Sequence, residues 1–129
     1  MIGPQISVWI VPGAMMFTTS SSSATYGMPR IAVYAATKHA VKGLTEALSI
    51  EWARHGITVN AIAPTFVNTP FVAALLQAPE IRQEVLSRIP LGRLAETEDI
   101  VGAVLYLASS AAAMVTGHTL VIDGGWTAW

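Results

Sequence analysis

Tyr34 and Lys38 stand four positions apart in IAVYAATKHAVKGL (31–44), a stretch of strong helix formers. Residues at that spacing lie one above the other on a helix, so a phenol and an ammonium share one face. A free phenol ionises near pH 10, and bringing it to about 7 takes roughly 4 kcal/mol of preference for the phenolate, at about 1.4 per unit. A nearby ammonium, with help from any cationic ligand, is the right kind of group to supply it. The pair could therefore move a proton. Taken alone the spacing is a weak signal that reads more readily as a packed tyrosine beside a solvated lysine, and context must decide. Thirteen residues before Tyr34 stands Ser21. It falls at the end of a predicted strand, where parallel α/β sheets carry functional groups.

The elements that must position these groups follow from the pattern of the chain. GAMMFTTS (13–20) is a short apolar run opened by Gly and closed by polar residues, which predicts a buried strand. MIGPQISVWIVP before it is hard to place, and SSSATYGMPR after it is a loop. Ile31 to Arg54 predicts one long helix, with Gly56 as its stop signal. ITVNAIAP (57–64), rich in β-branched residues and closed by proline, predicts a second buried strand. PEIRQEVLSRI predicts a helix opened by Pro79, and Thr97 is the expected cap of a third helix running to about Ala108. HTLVID then reads as a last strand, closed by Gly124 and Gly125. The order strand, helix, strand, helices, strand predicts an α/β layer with parallel strands.

At 129 residues the chain fits a single domain, 1–129. Hydrophobic residues make up 53% and charged residues 12%, so much surface must be buried in a core or against a partner. A net charge of −1 with scattered Lys and Arg argues against nucleic-acid binding. There is no cysteine, which excludes disulfides and thiolate metal sites and suits a reducing compartment; the expected location is cytoplasmic. His39, His55 and His118 lack the spacing of a metal-binding helix, so no metal is expected. The uncharged stretch from Ile100 to Ile122 is long enough to span a bilayer, but polar residues interrupt it and its flanks are acidic. A helix followed by a strand fits it better than a membrane span. Met1 to Pro29 carries no charge either, yet it lacks the basic start of a secretory signal.

With these motifs in order, the chain resembles the short-chain dehydrogenase/reductase family from about Gly13 to Gly125. Ser21 matches the family's catalytic serine, Gly27 and Pro29 its loop, and YAATK its Tyr-x-x-x-Lys helix. VNAIAPTFVNTP resembles its Asn-x-x-x-Pro-Gly-x-x-x-Thr segment. PLGRLAETEDIVGAVLYLASS and TGHTLVIDGG resemble its last helix and strand. The resemblance implies a Rossmann-like, doubly wound parallel sheet with flanking helices, and interconversion of a small-molecule alcohol and ketone with NAD or NADP. In that reading Tyr34 is the acid/base, Ser21 holds the reacting oxygen, and Lys38 lowers the tyrosine pKa and holds the cofactor ribose. Pro64, Thr65, Val67 and Thr69 belong to the nicotinamide segment, with Thr69 and the Val67 backbone placing the carboxamide. Ser20 or Ser22 could replace Ser21, and Thr69 could simply cap PFVAALL. Asn60 and Asp123 are expected to be structural. The apolar positions of the helix at 31–54 cover more of its circumference than one sheet contact needs, which predicts two buried faces; the resemblance implies what covers the second, since family members pair this helix across a dimer, and so implies a homo-oligomer.

The chain departs from the family pattern too. It contains no Gly-rich G-x-G loop for a pyrophosphate, so the family's N-terminal half is not represented. The expectation is a catalytic half that shows no measurable turnover alone, or a non-catalytic scaffold, with an open edge on the strand at 13–20. Thr65 replaces the usual Gly, and would be strained if that position needed a positive φ.

Overall fold

The structure is a computed structural model and describes residues 9–11, 15–19 and 32–128. Its one sheet has the order β1 (Trp9–Val11), β2 (Met15–Thr19), β3 (Thr58–Pro64) and β4 (Thr119–Ile122). β2, β3 and β4 are parallel, with Phe17 opposite Asn60 and Ile62 opposite Leu120. Helix α1 (Ala32–Ala53) connects β2 to β3. Short helices α2 (Pro70–Leu75) and α3 (Pro79–Ser87), then α4 (Thr97–Leu107) and a 3-10 turn (Ser110–Ala112), lie between β3 and β4. This is the predicted partial doubly wound α/β sheet.

β3 lies at the centre of the parallel strands, and Val59, Asn60, Ala61, Ile62 and Ala63 are all buried. A strand covered on both faces has no polar alternation, which is why it reads as a continuous run in sequence. Its one buried polar side chain is satisfied: Asn60 Nδ2 donates to Val115 O at 2.9 Å, and Asn60 Oδ1 accepts from His118 N–H at 3.2 Å. Ile62, Leu107 and Ala112 form one core cluster, under Ile100, Val104 and Leu120. A second cluster, Leu76, Ile89 and Leu94, gathers Phe66, Val72 and Trp126 around the loops after β3.

Helix α1 buries only one face, made by Lys38, Val41, Thr45 and Ser49. Its polar members bond back along the helix: Thr45 Oγ1 donates to Val41 O at 2.8 Å and Ser49 Oγ to Glu46 O at 2.7 Å. The second face expected to be buried is open within this chain, with Leu44 44% and Ile50 79% exposed, and Val33 beside it is 80% exposed. The helix stops where expected, Gly56 adopting φ 71° and its N–H donating to Ala53 O at 2.9 Å.

Two sequence expectations are corrected. The edge of β2 is not open: β1, which falls in the stretch that was hard to place, pairs with it antiparallel, Trp9 opposite Phe17 and Val11 opposite Met15. The backbone groups that an edge strand leaves unpaired thereby gain partners. The cap of α4 is Glu96 rather than Thr97, because residues 95 and 96 remain extended beside the Val67–Ala95 bridge. Asp99 serves that end, Oδ2 accepting from the Glu96 N–H at 2.8 Å. Residues 100–122 divide into helix, 3-10 turn and strand, as expected, and no described helix is long and apolar enough to cross a membrane.

Candidate functional site

Tyr34 and Lys38 occupy the first turns of α1 and differ sharply in environment. The Lys38 side chain crosses the Tyr34 ring, with Nζ 5.7 Å from the ring centroid. Lys38 is 8% exposed and Tyr34 42%. Burial pushes the Lys38 ammonium below its usual pKa. An ammonium stripped of water interacts more strongly with any negative charge that forms nearby, since less solvent screens it. The arrangement thus joins a solvent-reachable phenol to a shielded cation. Thr37 is directed elsewhere, its Oγ1 donating to Tyr34 O at 2.7 Å. Ser21, with Ser20 and Ser22, lies outside the described residues, as do Gly27 and Pro29.

The second group of predicted residues follows the carboxyl end of β3. Pro64 ends the strand opposite Ile122. Thr65 continues the ladder, its N–H donating to Ile122 O at 3.2 Å, and its Oγ1 is buried without a hydrogen-bond partner. Val67 faces Ala95 in a parallel bridge: Ala95 N–H donates to Phe66 O at 3.0 Å and Asn68 N–H to Ala95 O at 2.7 Å. In a parallel bridge these bonds belong to the residues on either side of Val67, so its own N–H points away from the 93–96 segment. No acceptor for that N–H occurs among the described residues. Thr69 caps α2, Oγ1 accepting from Val72 N–H at 3.2 Å. Capping uses one lone pair and leaves the hydroxyl proton free to donate. The capping and ligand-holding readings of Thr69 are therefore compatible. An outward N–H at 67 and a hydroxyl at 69 leave two hydrogen-bond donors on this segment that could meet a carbonyl oxygen.

Sequence reasoning passed over two features beside this segment. Arg93 grips Asp99 with Nη1–Oδ2 at 2.6 Å and Nη2–Oδ1 at 3.0 Å. That contact, with the Glu96 N–H, lowers the Asp99 pKa to about 2. Both residues line a cavity of about 170 Å³ with Thr65, Leu94, Ile122 and Asp123. Neither Tyr34 nor Lys38 lines it. Trp126 is the other feature, packed 5.6 Å from the Phe66 ring. The Arg93 to Asp99 spacing of six gives no helical signal, and a C-terminal tryptophan gives none at all. Asp123 serves the turn, accepting from Gly125 N–H and Thr127 N–H, each at 2.9 Å.

The chain is similar to known proteins in both sequence and fold. A family model described as enoyl-(acyl carrier protein) reductase matches residues 6–127. Galactitol 2-dehydrogenase (L-tagatose-forming) of Cereibacter sphaeroides is 42% identical over 118 residues, 91% of this chain and 46% of that protein. A gluconate 5-dehydrogenase from Burkholderia cenocepacia, solved with NADP and tartrate, superposes with a TM-score of 0.85 at 36% identity, covering 91% of this chain and 46% of that one. A 4-hydroxyisoleucine dehydrogenase complexed with NADH gives 0.85 at 33% identity, covering 89% and 47%. The chain spans 21 to 48% of the length of such curated relatives. On the extent of the family match and this identity, the chain belongs to the short-chain dehydrogenase/reductase family.

Proposed function

We propose that this chain supplies the catalytic half of an NAD(P)-dependent oxidoreductase that interconverts a small-molecule alcohol and ketone. The observation that carries the reading is the Tyr34–Lys38 pair, an exposed phenol with a buried ammonium over its ring. Tyr34 takes the hydroxyl proton in the oxidative direction and returns it to the carbonyl oxygen in the reductive one. Ser21 donates a hydrogen bond to that oxygen and fixes it. Lys38 favours the phenolate through its charge and holds the ribose hydroxyls. Pro64 and Thr65 line the nicotinamide pocket, while the Val67 N–H and the Thr69 hydroxyl hold the carboxamide. When bound, NAD or NADP carries the hydride to or from the carbinol carbon. The dehydrogenases named above act on a sugar alcohol, gluconate and a hydroxyamino acid, which supports a hydroxyl-bearing substrate of small size and no finer assignment. The working location is the cytoplasm, with neither nucleic acid nor membrane as partner.

In an active assembly containing this chain, Tyr34→Phe should abolish turnover and leave the circular-dichroism spectrum unchanged. Lys38→Met should move the onset of activity to higher pH and weaken cofactor binding. Retention of most of the activity by Tyr34→Phe would sink the assignment.

A second reading is a non-catalytic oligomerisation chain, favoured by the open apolar face of α1. Titration calorimetry with NADH separates the two, because only the first requires heat of binding. Both readings include a homo-oligomer formed through the helix at 31–54.

A further inference from the structure

We infer that Trp126 is a positioning residue that holds the Phe66–Thr69 segment in register and ties it to helix α3. The inference rests on the function proposed above. Phe66 opens the segment whose Val67 N–H and Thr69 hydroxyl are the candidate carboxamide contacts, and its ring meets Trp126 at 5.6 Å with the planes tilted 55°. On the same indole sits the Arg88 guanidinium, 5.9 Å from the ring, at the C-terminal end of α3. One side chain therefore touches both the segment and the helix that follows it.

The turn that carries Trp126 is itself firmly held. Asp123 draws the turn closed by accepting from Gly125 N–H, Thr127 N–H and Thr127 Oγ1, the last at 2.7 Å. Gly124 O accepts from Leu91 N–H at 3.1 Å, which fixes the turn against the loop after α3. A Cβ at Gly125 would come within 2.8 Å of Pro90, so turn and loop are in direct contact. The segment's own hydrogen bonds run to its neighbours in sequence and to the 95–96 stretch: beyond the Ala95 bridge, Asn68 Nδ2 donates to the Glu96 carboxylate at 3.1 Å, Thr69 N–H donates to Val67 O at 2.8 Å, and Thr69 Oγ1 and O accept from Val72 and Ala73 N–H. None of these hydrogen bonds involves the Phe66 ring, which Trp126 restrains from the side of the C-terminal turn.

The test is amide exchange by NMR on the 129-residue chain, with NADH at millimolar concentration as the probe. In Trp126→Ala, the Asn68 and Thr69 amides should exchange about threefold to tenfold faster, the scale of one aromatic pair. The Ala61 and Gly117 amides, bonded in the β3–β4 region to His118 O and Val59 O, should not change. Trp126→Phe should restore most of the protection, and Arg88→Ala should loosen α3 while leaving Asn68 protected. The shifts that NADH induces at Val67 and Thr69 should weaken in Trp126→Ala and return in Trp126→Phe. Equal acceleration of all four amides, or none at Asn68 and Thr69, overturns the inference, as does unaltered NADH response in a loosened segment. If the unsubstituted chain shows no NADH shift, the proposed function fails, while the exchange pattern still decides the role of Trp126.

Discussion

Gly117, in the loop before β4, lies directly against Ser49 of α1. Its φ is +68°, and a Cβ placed there would lie 2.7 Å from Ser49 Oγ and 3.5 Å from Ser49 Cβ. Ser49 shares a face with Lys38, so this contact sets how α1 rests beside the sheet and, through it, how Lys38 is shielded. Gly117→Ala meets two separable penalties. A left-handed alanine costs about 1 kcal/mol or a little more. Moving the Ser49 hydroxyl out of the way breaks its bond to Glu46 O, for about 1 kcal/mol more. The sum, roughly 2 to 3 kcal/mol, should appear in urea unfolding followed by circular dichroism. Ser49→Ala removes the clashing oxygen and leaves a Cβ separation that is ordinary contact. The double variant should therefore be more stable than the two single losses added together, by about 1 kcal/mol. A Gly117→Ala protein within about 0.5 kcal/mol of the parent, or strict additivity of the pair, would refute the reasoning.

Thr65→Val should raise stability by about 1 kcal/mol, because it replaces a buried hydroxyl that has no partner with a group of the same shape; a lower melting temperature would show that the hydroxyl is satisfied. The Asp99 pKa is depressed to about 2, so its contribution is complete above the ordinary carboxylate range and is lost as pH falls from about 4 towards 2. Asp99→Asn should thus lower the melting temperature at pH 7 and flatten its decline over that acid range, and an equally steep decline would count against the Arg93 contact. Ile50→Asp, on the open face of α1, should convert a homo-oligomer to monomer in sedimentation; a parent chain already monomeric at micromolar concentration removes the case for that interface.

What could be read from the sequence was whatever a local pattern encodes. The long helix, the strand at 57–64 and the helix opened by Pro79 are each specified by neighbours within a few residues, and their bounds fall within about two residues of expectation. The Tyr34–Lys38 pair was legible for the same reason, as a spacing on one helix. The cap of α4 was not, since Glu96 is the first non-helical residue only because Ala95 is held by Val67, a contact made across 28 positions of sequence. Trp126 was invisible on the same ground. Its partners, Phe66 and Arg88, come from elements with no periodic relation to it. Helix α1 lies between these cases: its excess of apolar positions predicted two contacts, and the chain itself provides one.

That unequal burial bears on where a partner can attach. In a doubly wound sheet, the strand beside β2 on the side away from β3 would be another parallel strand. Here β1 takes those backbone groups in the antiparallel sense, from Trp9 opposite Phe17 to Val11 opposite Met15. One edge of a strand can serve only one neighbour, so β1 and a parallel strand exclude each other there. A partner that adds to the sheet at β2 must first displace a three-residue strand, whereas one that packs on α1 displaces only water from Val33, Leu44 and Ile50. Short strands give up few hydrogen bonds, so the first route is open to a partner that offers a longer ladder. The second needs no rearrangement, and it places the contact on the helix that carries Tyr34 and Lys38. Association through α1 would then bear directly on the element that positions both side chains, whereas addition at β2 would reach them only through the sheet.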